Sequence, residues 1–111
     1  MAKDAIGGRS IPPSKPGPYE VIISPEAQAH ISRLPYGWAL ALRPAWENLE
    51  HKPTTGRGKR EIAPSKVPSL KVYPGERLFH YVWGELAIWY AVFADPDVRV
   101  VYVLRVQPFI F

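Results

Sequence analysis

Three stretches in the C-terminal half of the chain alternate between two sets of side chains and are rich in β-branched and aromatic residues. They span residues 76–83, 86–93 and 98–106, and this composition and alternation predict three β-strands. Only Gly84-Glu85 and residues 94–97 separate them. Because breaks this short leave no room for a crossover helix, the strands are predicted to form an antiparallel meander.

The preceding segment has the pattern of a strand followed by two helices. Residues 19–24 (YEVIIS) predict a short strand, and Ser24 is a suitable cap for a helix over about 25–34 that opens with proline. A second helix is predicted over about 37–51. Since Pro44 removes a backbone donor and crowds the preceding turn, we expect either a kink there or two shorter helices.

The remaining segments divide the chain into an arm and one domain. Residues 1–18 are rich in proline and glycine and lack apolar periodicity, so a flexible arm is expected, followed by a domain over 19–111. Residues 60–62 predict a short edge pairing and 69–73 one more strand. The whole pattern predicts an α+β fold, in which an N-terminal strand and a two-helix hairpin pack on a twisted antiparallel sheet.

Composition adds a preference for an acidic partner. The net charge is +4 and the isoelectric point is near 9.5, which favours nucleic acid or an acidic protein as partner. There is no cysteine, so no thiolate zinc site can form. The apolar runs have strand length, and the N-terminus lacks the apolar core of a signal peptide. We therefore expect a cytoplasmic protein without a membrane partner.

Several short segments of the sequence, taken in order, resemble the RelE/ParE superfamily of bacterial toxins from type II toxin–antitoxin pairs. The resemblance covers roughly residues 19–106, and its order and spacing carry more weight than any single segment. The matching stretches are 19–27 (YEVIISPEA), Leu34-Pro35, Leu49 with Lys52-Pro53, 84–92 (GELAIWYAV) and the last strand at 98–106.

The resemblance implies a compact fold and inhibition of growth until a cognate antitoxin wraps the toxin. RelE-like members cut messenger RNA in the ribosomal A site, whereas ParE-like members inhibit DNA gyrase. This sequence departs from the RelE-like pattern at several positions. His80 stands where a basic residue occurs and Ala87 where an arginine occurs; Leu78 replaces a possible lysine, and Gln107-Pro108 lie near the C-terminal basic position.

Cleavage of RNA by its own 2′-hydroxyl requires a group that accepts a proton and cations that stabilise the phosphorane. His80 is the candidate base or acid, because histidine titrates near neutrality, although a structural role is its alternative. Arg77 and Arg105 are the candidate catalytic cations. The candidate nucleic-acid-binding residues, whose alternative is a solvated surface, are Arg57, Lys59, Arg60, Lys66 and Lys71.

Two tryptophans, Trp83 and Trp89, either stack on bases or belong to the core. The three histidines lie on different elements without paired carboxylates, so neither a metal nor a cofactor is expected. The leading hypothesis is a toxin that cleaves messenger RNA on the ribosome, a metal-independent endoribonuclease. The alternatives are a gyrase-inhibiting toxin without nuclease activity and a degenerate member that binds an antitoxin without toxicity.

Overall fold

The computed structural model describes residues 18–93 and 98–109, together with the backbone of residues 5–6 and 9–10. The predicted arm over 1–18 and the turn at 94–97 therefore lie largely outside the described residues. The elements in chain order are β1 (Ala5–Ile6), β2 (Arg9–Ser10), β3 (Glu20–Ile23), α1 (Pro25–Ser32), α2 (Tyr36–Leu40), α3 (Arg43–His51), β4 (Lys59–Ile62), a 3-10 turn (Pro64–Lys66), β5 (Glu76–Trp83), β6 (Leu86–Phe93) and β7 (Val100–Pro108).

Five strands form the main sheet, in the order β3-β7-β6-β5-β4. The predicted meander is confirmed, since β5, β6 and β7 pair antiparallel in sequence, and β4 adds the expected edge pairing on β5. In contrast, β3 pairs parallel to β7. The long connection between them, which contains the three helices and β4 to β6, gives the chain room for the crossover that a parallel pair requires. The sheet is therefore mixed rather than antiparallel throughout, within the predicted α+β class.

The helices begin and break where the sequence places caps and prolines. Ser24 caps α1, with its Oγ accepting a hydrogen bond from the amide of Ala27 at 3.0 Å. Pro44 is the second residue of α3, a position that needs no intrahelical N–H donor. The expected long helix is consequently divided into α2 and α3. None of the described helices is long and apolar enough to cross a membrane.

One face of the sheet packs against the helices and holds the main core. Tyr90 and Val103 are fully buried there against Leu49 of α3. The predicted alternation of β5 and β6 is confirmed, because Phe79 and Tyr81 lie on this face while Leu78 belongs to a second cluster on the opposite face.

The segment 69–73 is not a strand, contrary to the prediction. It crosses the sheet face opposite the helices, where Leu70 is only 6% exposed and packs with Leu78, Ala91 and Leu104. The physical reason is that its apolar side chains pack on this face of the sheet, and β4 rather than 69–73 pairs with β5. The apolar side chains of 69–73 are therefore buried under the sheet face instead of in a further strand.

A β-bulge in β7 changes which side chains share a face. Trp89 pairs with Arg105, but the next residue of β6, Tyr90, pairs with Val103, so Leu104 is the extra residue. An extra residue reverses the alternation beyond it. Val106 therefore belongs to the helix-side core, whereas strict alternation along β7 would put it on the same face as Leu104. The bulge also moves Arg105 to the face opposite the helices.

Candidate nucleic-acid interface

Four side chains form a row across the sheet face opposite the helices, and we call it the cross-strand row. Neighbouring strands pair Arg60 with His80, His80 with Trp89, and Trp89 with Arg105. Directly opposed residues lie on the same face. Since adjacent strands are about 4.8 Å apart, the backbones at the two ends of the row are about 14 Å apart. The row thus places a histidine and an aromatic ring between two arginines.

His80 is the titratable member of the cross-strand row. Its ring centroid lies 4.3 Å from that of Trp89 and 5.9 Å from that of Phe109. Partial burial lowers the pKa of His80 below its ordinary value, and the positive charge of Arg60 lowers it further. The imidazole is consequently neutral at neutral pH and can accept a proton.

The two arginines of the cross-strand row differ in their surroundings. Arg60 is exposed at the edge strand β4. The side chain of Arg105 is 22% exposed, and its Nη2 lies 3.8 Å from Oε1 of Glu26 in the first turn of α1. The row therefore has one exposed cation beside His80 and one partly buried cation beyond Trp89.

The two candidate tryptophans are both partly buried, but they pack on opposite faces of the sheet, Trp89 against the cluster of Leu70 and Leu78. Trp83 packs against the helix-side core and donates its indole N–H to the carbonyl of Ala41 at 2.8 Å. Trp89 lies in the cross-strand row, and its indole Nε1 is buried without a hydrogen-bond partner in the part of the chain that the structure describes. Of the two, Trp89 is placed to contact a ligand on the His80 face.

The structure separates Arg77 from His80, although both were predicted catalytic. Arg77 lies on the other face of β5 and forms a two-pronged ion pair with Glu61, with N–O distances of 2.8 and 3.1 Å. This pairing lowers the pKa of Glu61 and raises that of Arg77. Its guanidinium also lies 5.2 Å from the centroid of the Phe79 ring. Arg77 is therefore paired with Glu61 and lies on the opposite side of the sheet from the cross-strand row.

Lys59 is also engaged within the fold. Its ammonium donates to the side-chain oxygen of Asn48, to the carbonyl of Lys52 and to that of Thr55 at 2.9 Å. The ammonium lies 4.9 Å from the centroid of the Tyr81 ring as well. Burial lowers the pKa of Lys59, and the charge of Lys52 contributes. These contacts hold the C-terminal end of α3 against the sheet, so the ammonium of Lys59 is used within the fold and is not presented to a ligand.

The remaining predicted cations are spread over three places. Arg57 is exposed in the loop before β4, beside a cavity of about 280 Å³ that Lys59 and Tyr81 also line. Lys66 is exposed at the 3-10 turn. Lys71 lines a cleft of about 250 Å³ on the His80 face, together with Glu26 and other residues. Of the predicted basic cluster, only Arg60 joins the cross-strand row.

Two of the positions at which the sequence departs from the RelE-like pattern, Ala87 and Leu78, are buried apolar positions in the fold. Ala87 is 2% exposed and lies between Val82 and Gln107 in the next row of the same face. Leu78 is fully buried in the second cluster. Neither position places a cation near His80, so the positive charges of the cross-strand row are those of Arg60 and Arg105.

Sequence reasoning missed two features of the cross-strand row. It assigned Arg60 to a general basic loop, although the expected pairing of 60–62 was the signal that could have placed it opposite His80. It also missed the bulge that brings Arg105 to this face. The described residues contain no group of three or more histidine, cysteine, aspartate or glutamate side chains that could hold a metal ion.

Comparison with solved structures identifies the fold. A chain of the archaeal RelE–RelB complex from Pyrococcus horikoshii OT3 matches with a TM-score of 0.62 at 16% identity, covering 81% of this chain and 93% of that chain. A chain of the toxin–antitoxin complex RelBE2 from Mycobacterium tuberculosis matches with a TM-score of 0.61 at 22% identity, covering 85% and 94%. No family model and no curated protein matched the sequence. The chain thus has the predicted RelE-like fold.

Proposed function

We propose that this protein is the toxin of a toxin–antitoxin pair and that it cleaves messenger RNA on the ribosome, with His80 as the proton acceptor. The observation that carries the proposal is the cross-strand row, in which His80 and Trp89 lie between Arg60 and Arg105. The RelE-like fold supports the toxin assignment, and the two similar structures are complexes with an antitoxin.

In the proposed reaction the neutral imidazole of His80 accepts the proton of an RNA 2′-hydroxyl. The 2′ oxygen then forms a bond to phosphorus while the bond from phosphorus to the 5′ oxygen breaks. The products are a 2′,3′-cyclic phosphate and a 5′-hydroxyl, whose proton comes from solvent. Arg60, the cation next to His80, stabilises the charge that builds up on the phosphate. The lowered pKa of His80 keeps the base in its active form at neutral pH.

Arg105 and Trp89 bind the substrate in this proposal. Arg105 lies beyond Trp89 from His80, so it contacts the RNA backbone at a distance from the base, and the Trp89 ring offers a stacking surface. No metal ion is required, because the arginines supply the positive charge. The cognate antitoxin covers the toxin and stops this activity, and both proteins are located in the cytoplasm.

One observation favours a second candidate function. Ala87 is buried at the position where the resemblance implies an arginine, and loss of one such electrostatic contact typically costs about two to three powers of ten in rate. A toxin without that cation can act instead by binding DNA gyrase, or can bind its antitoxin without toxicity. Arg60 on β4 and Arg105 on β7 favour the nuclease, since they supply cations at the two ends of the cross-strand row.

Induced expression in a bacterial host tests the proposal. We expect an early fall in protein synthesis with cut transcripts for the parent chain, and normal growth for His80→Ala. His51→Ala is the matched control, because His51 is an exposed histidine at the end of α3, and it should remain toxic. Each variant is checked for an unchanged unfolding midpoint.

The remaining outcomes separate the alternatives. A toxic, folded His80→Ala variant would remove His80 from the mechanism. An early fall in DNA synthesis, with inhibition of supercoiling by purified protein, would establish the gyrase activity instead. Normal growth of a host that accumulates folded parent protein would overturn both toxin assignments. The remaining alternative would be a protein that binds an antitoxin without toxicity.

A further inference from the structure

Glu26 lies at the border between α1 and the sheet face that carries the cross-strand row. It is the second residue of α1, just after the cap Ser24. Ser24 fixes this border, because its amide donates to the carbonyl of Val103 at 3.0 Å and its hydroxyl to that of Leu104 at 3.5 Å. The start of α1 is therefore held against the bulge of β7, immediately before Arg105.

The ion pair between Glu26 and Arg105 is loose. Its N–O distance is 3.8 Å, whereas hydrogen-bonded ion pairs have distances of about 2.7–2.9 Å. The same chain offers a comparison, since Arg77 and Glu61 meet at 2.8 and 3.1 Å in a two-pronged geometry. Arg77 is therefore committed to its partner, while Arg105 remains able to exchange Glu26 for another anion.

Solvent exposure makes this exchange asymmetric. The Glu26 side chain is 59% exposed, but that of Arg105 is only 22% exposed. A carboxylate displaced from Arg105 returns to water at little cost, whereas the arginine needs a replacement anion. The cleft of about 250 Å³ beside Glu26, which Ser69 and Lys71 also line, leaves room for the displaced carboxylate.

We propose that Glu26 is a positioning residue that occupies Arg105 in the free protein and is displaced from it by an RNA phosphate. This inference rests on the proposed function, because it names the contact that substrate binding replaces. Glu26 holds Arg105 on the His80 face and also weakens RNA binding, since the phosphate must compete with the carboxylate. Removing that competitor should tighten RNA binding.

The test measures binding of a single-stranded RNA hexanucleotide with 2′-O-methyl groups, which prevent cleavage, by fluorescence anisotropy at low salt. Glu26→Gln should lower Kd about twofold to fivefold, as expected for loss of an exposed ion pair. Glu47→Gln is the matched control, because it removes the same charge from an exposed position on α3. Glu26→Asp keeps the negative charge and should therefore bind RNA with the affinity of the parent.

A second substitution tests whether the effect passes through Arg105. In an Arg105→Gln background, Glu26→Gln should change Kd no more than Glu47→Gln does. Equal effects of Glu26→Gln and Glu47→Gln in the parent background would overturn the inference, as would weaker binding after Glu26→Gln or the absence of RNA binding by every variant.

The cleavage assay on translating ribosomes distinguishes this failure from that of the proposed function. A parent chain that cuts messenger RNA, together with an unresponsive Glu26→Gln variant, would leave the nuclease intact and remove only the role of Glu26. A parent chain that cuts no RNA would remove the proposed function itself, and the inference with it.

Discussion

At the scale of single residues, the environment of His80 determines what it can do. An exposed histidine is partly protonated near its ordinary pKa of 6.5, but burial and the neighbouring Arg60 both favour the neutral form of His80. A neutral imidazole is a proton acceptor. The same contacts also make His80 a pH-dependent part of the fold, because the unfolded chain binds a proton at this residue more readily than the folded chain does.

The direction of this pKa shift fixes the expected pH profile of RNA cleavage. A base must be deprotonated, so the rate should rise with pH and reach a plateau, with its midpoint below the ordinary histidine value of 6.5. Arg60→Gln removes one of the two causes and should move the midpoint upward, toward 6.5, while also lowering the rate. Rates measured between pH 5 and 8 on translating ribosomes would show this.

His80 also makes the stability of the fold increase with pH, as it does the expected rate of cleavage. Because the pKa of His80 is lower in the folded than in the unfolded chain, its contribution to stability is present above the pKa of the unfolded chain and is lost as the pH falls through the pKa of the folded chain.

An Arg60→Gln variant whose rate profile keeps the parent midpoint would contradict the assignment of Arg60 as a neighbour that lowers the pKa of His80.

At the scale of elements, the strands were predictable where alternation and short turns determine the pairing. The ends of β5 and β6 agree with the prediction, as does the division of the long helix at Pro44. The segment 69–73 was predicted wrongly as a strand, because a short segment with alternating apolar residues can be buried equally well under a sheet face. Whether such a segment pairs with a strand or packs on a sheet face depends on the rest of the fold, which the segment itself does not encode.

The candidate site was predictable to a similar extent. Simple alternation along β5 is enough to put His80 on the face opposite Phe79 and Tyr81. It is not enough for Arg105, because the bulge adds a single residue to β7, and Val103, Leu104 and Arg105 fit a regular strand equally well. Arg60 reaches His80 only through the register of β4 on β5. Local pattern thus suffices to place the candidate base, while the positions of the candidate cations depend on long-range pairing.

Leu70 should contribute strongly to stability because it anchors the segment 69–73 on the sheet face. It is 6% exposed and packs in the cluster with Leu78 and Leu104. We expect Leu70→Ala to lower the free energy of unfolding by about 2–4 kcal/mol, through lost burial and the cavity left behind. Urea denaturation followed by far-UV circular dichroism would measure it.

Leu40→Ala provides the control for this prediction. Leu40 is 59% exposed on α2, so its replacement should change the free energy of unfolding by about 0.5 kcal/mol or less. A similar loss for both variants would indicate that segment 69–73 contributes no specific packing to the sheet face.

At the scale of the whole molecule, the net charge of +4 is less informative than its distribution. On the helix-side face, Arg77 is paired with Glu61 and Lys59 is bound to backbone carbonyls. On the opposite face, Arg60 and Arg105 flank His80 and Trp89. The fold therefore separates cations that stabilise the protein from cations that are placed to bind an anion.

This separation predicts which arginines determine the salt dependence of RNA binding. Each phosphate neutralised on a single strand contributes about −0.7 to the slope of log affinity against log salt concentration, because bound counterions are released. Arg60→Gln should reduce the magnitude of the slope by about 0.7. Arg77→Gln changes the net charge equally but removes an arginine already paired with Glu61, so it should leave the slope close to that of the parent. Anisotropy titrations of the 2′-O-methyl hexanucleotide at several KCl concentrations would give both slopes, and equal losses for the two variants would show that RNA responds to overall charge instead of the cross-strand row.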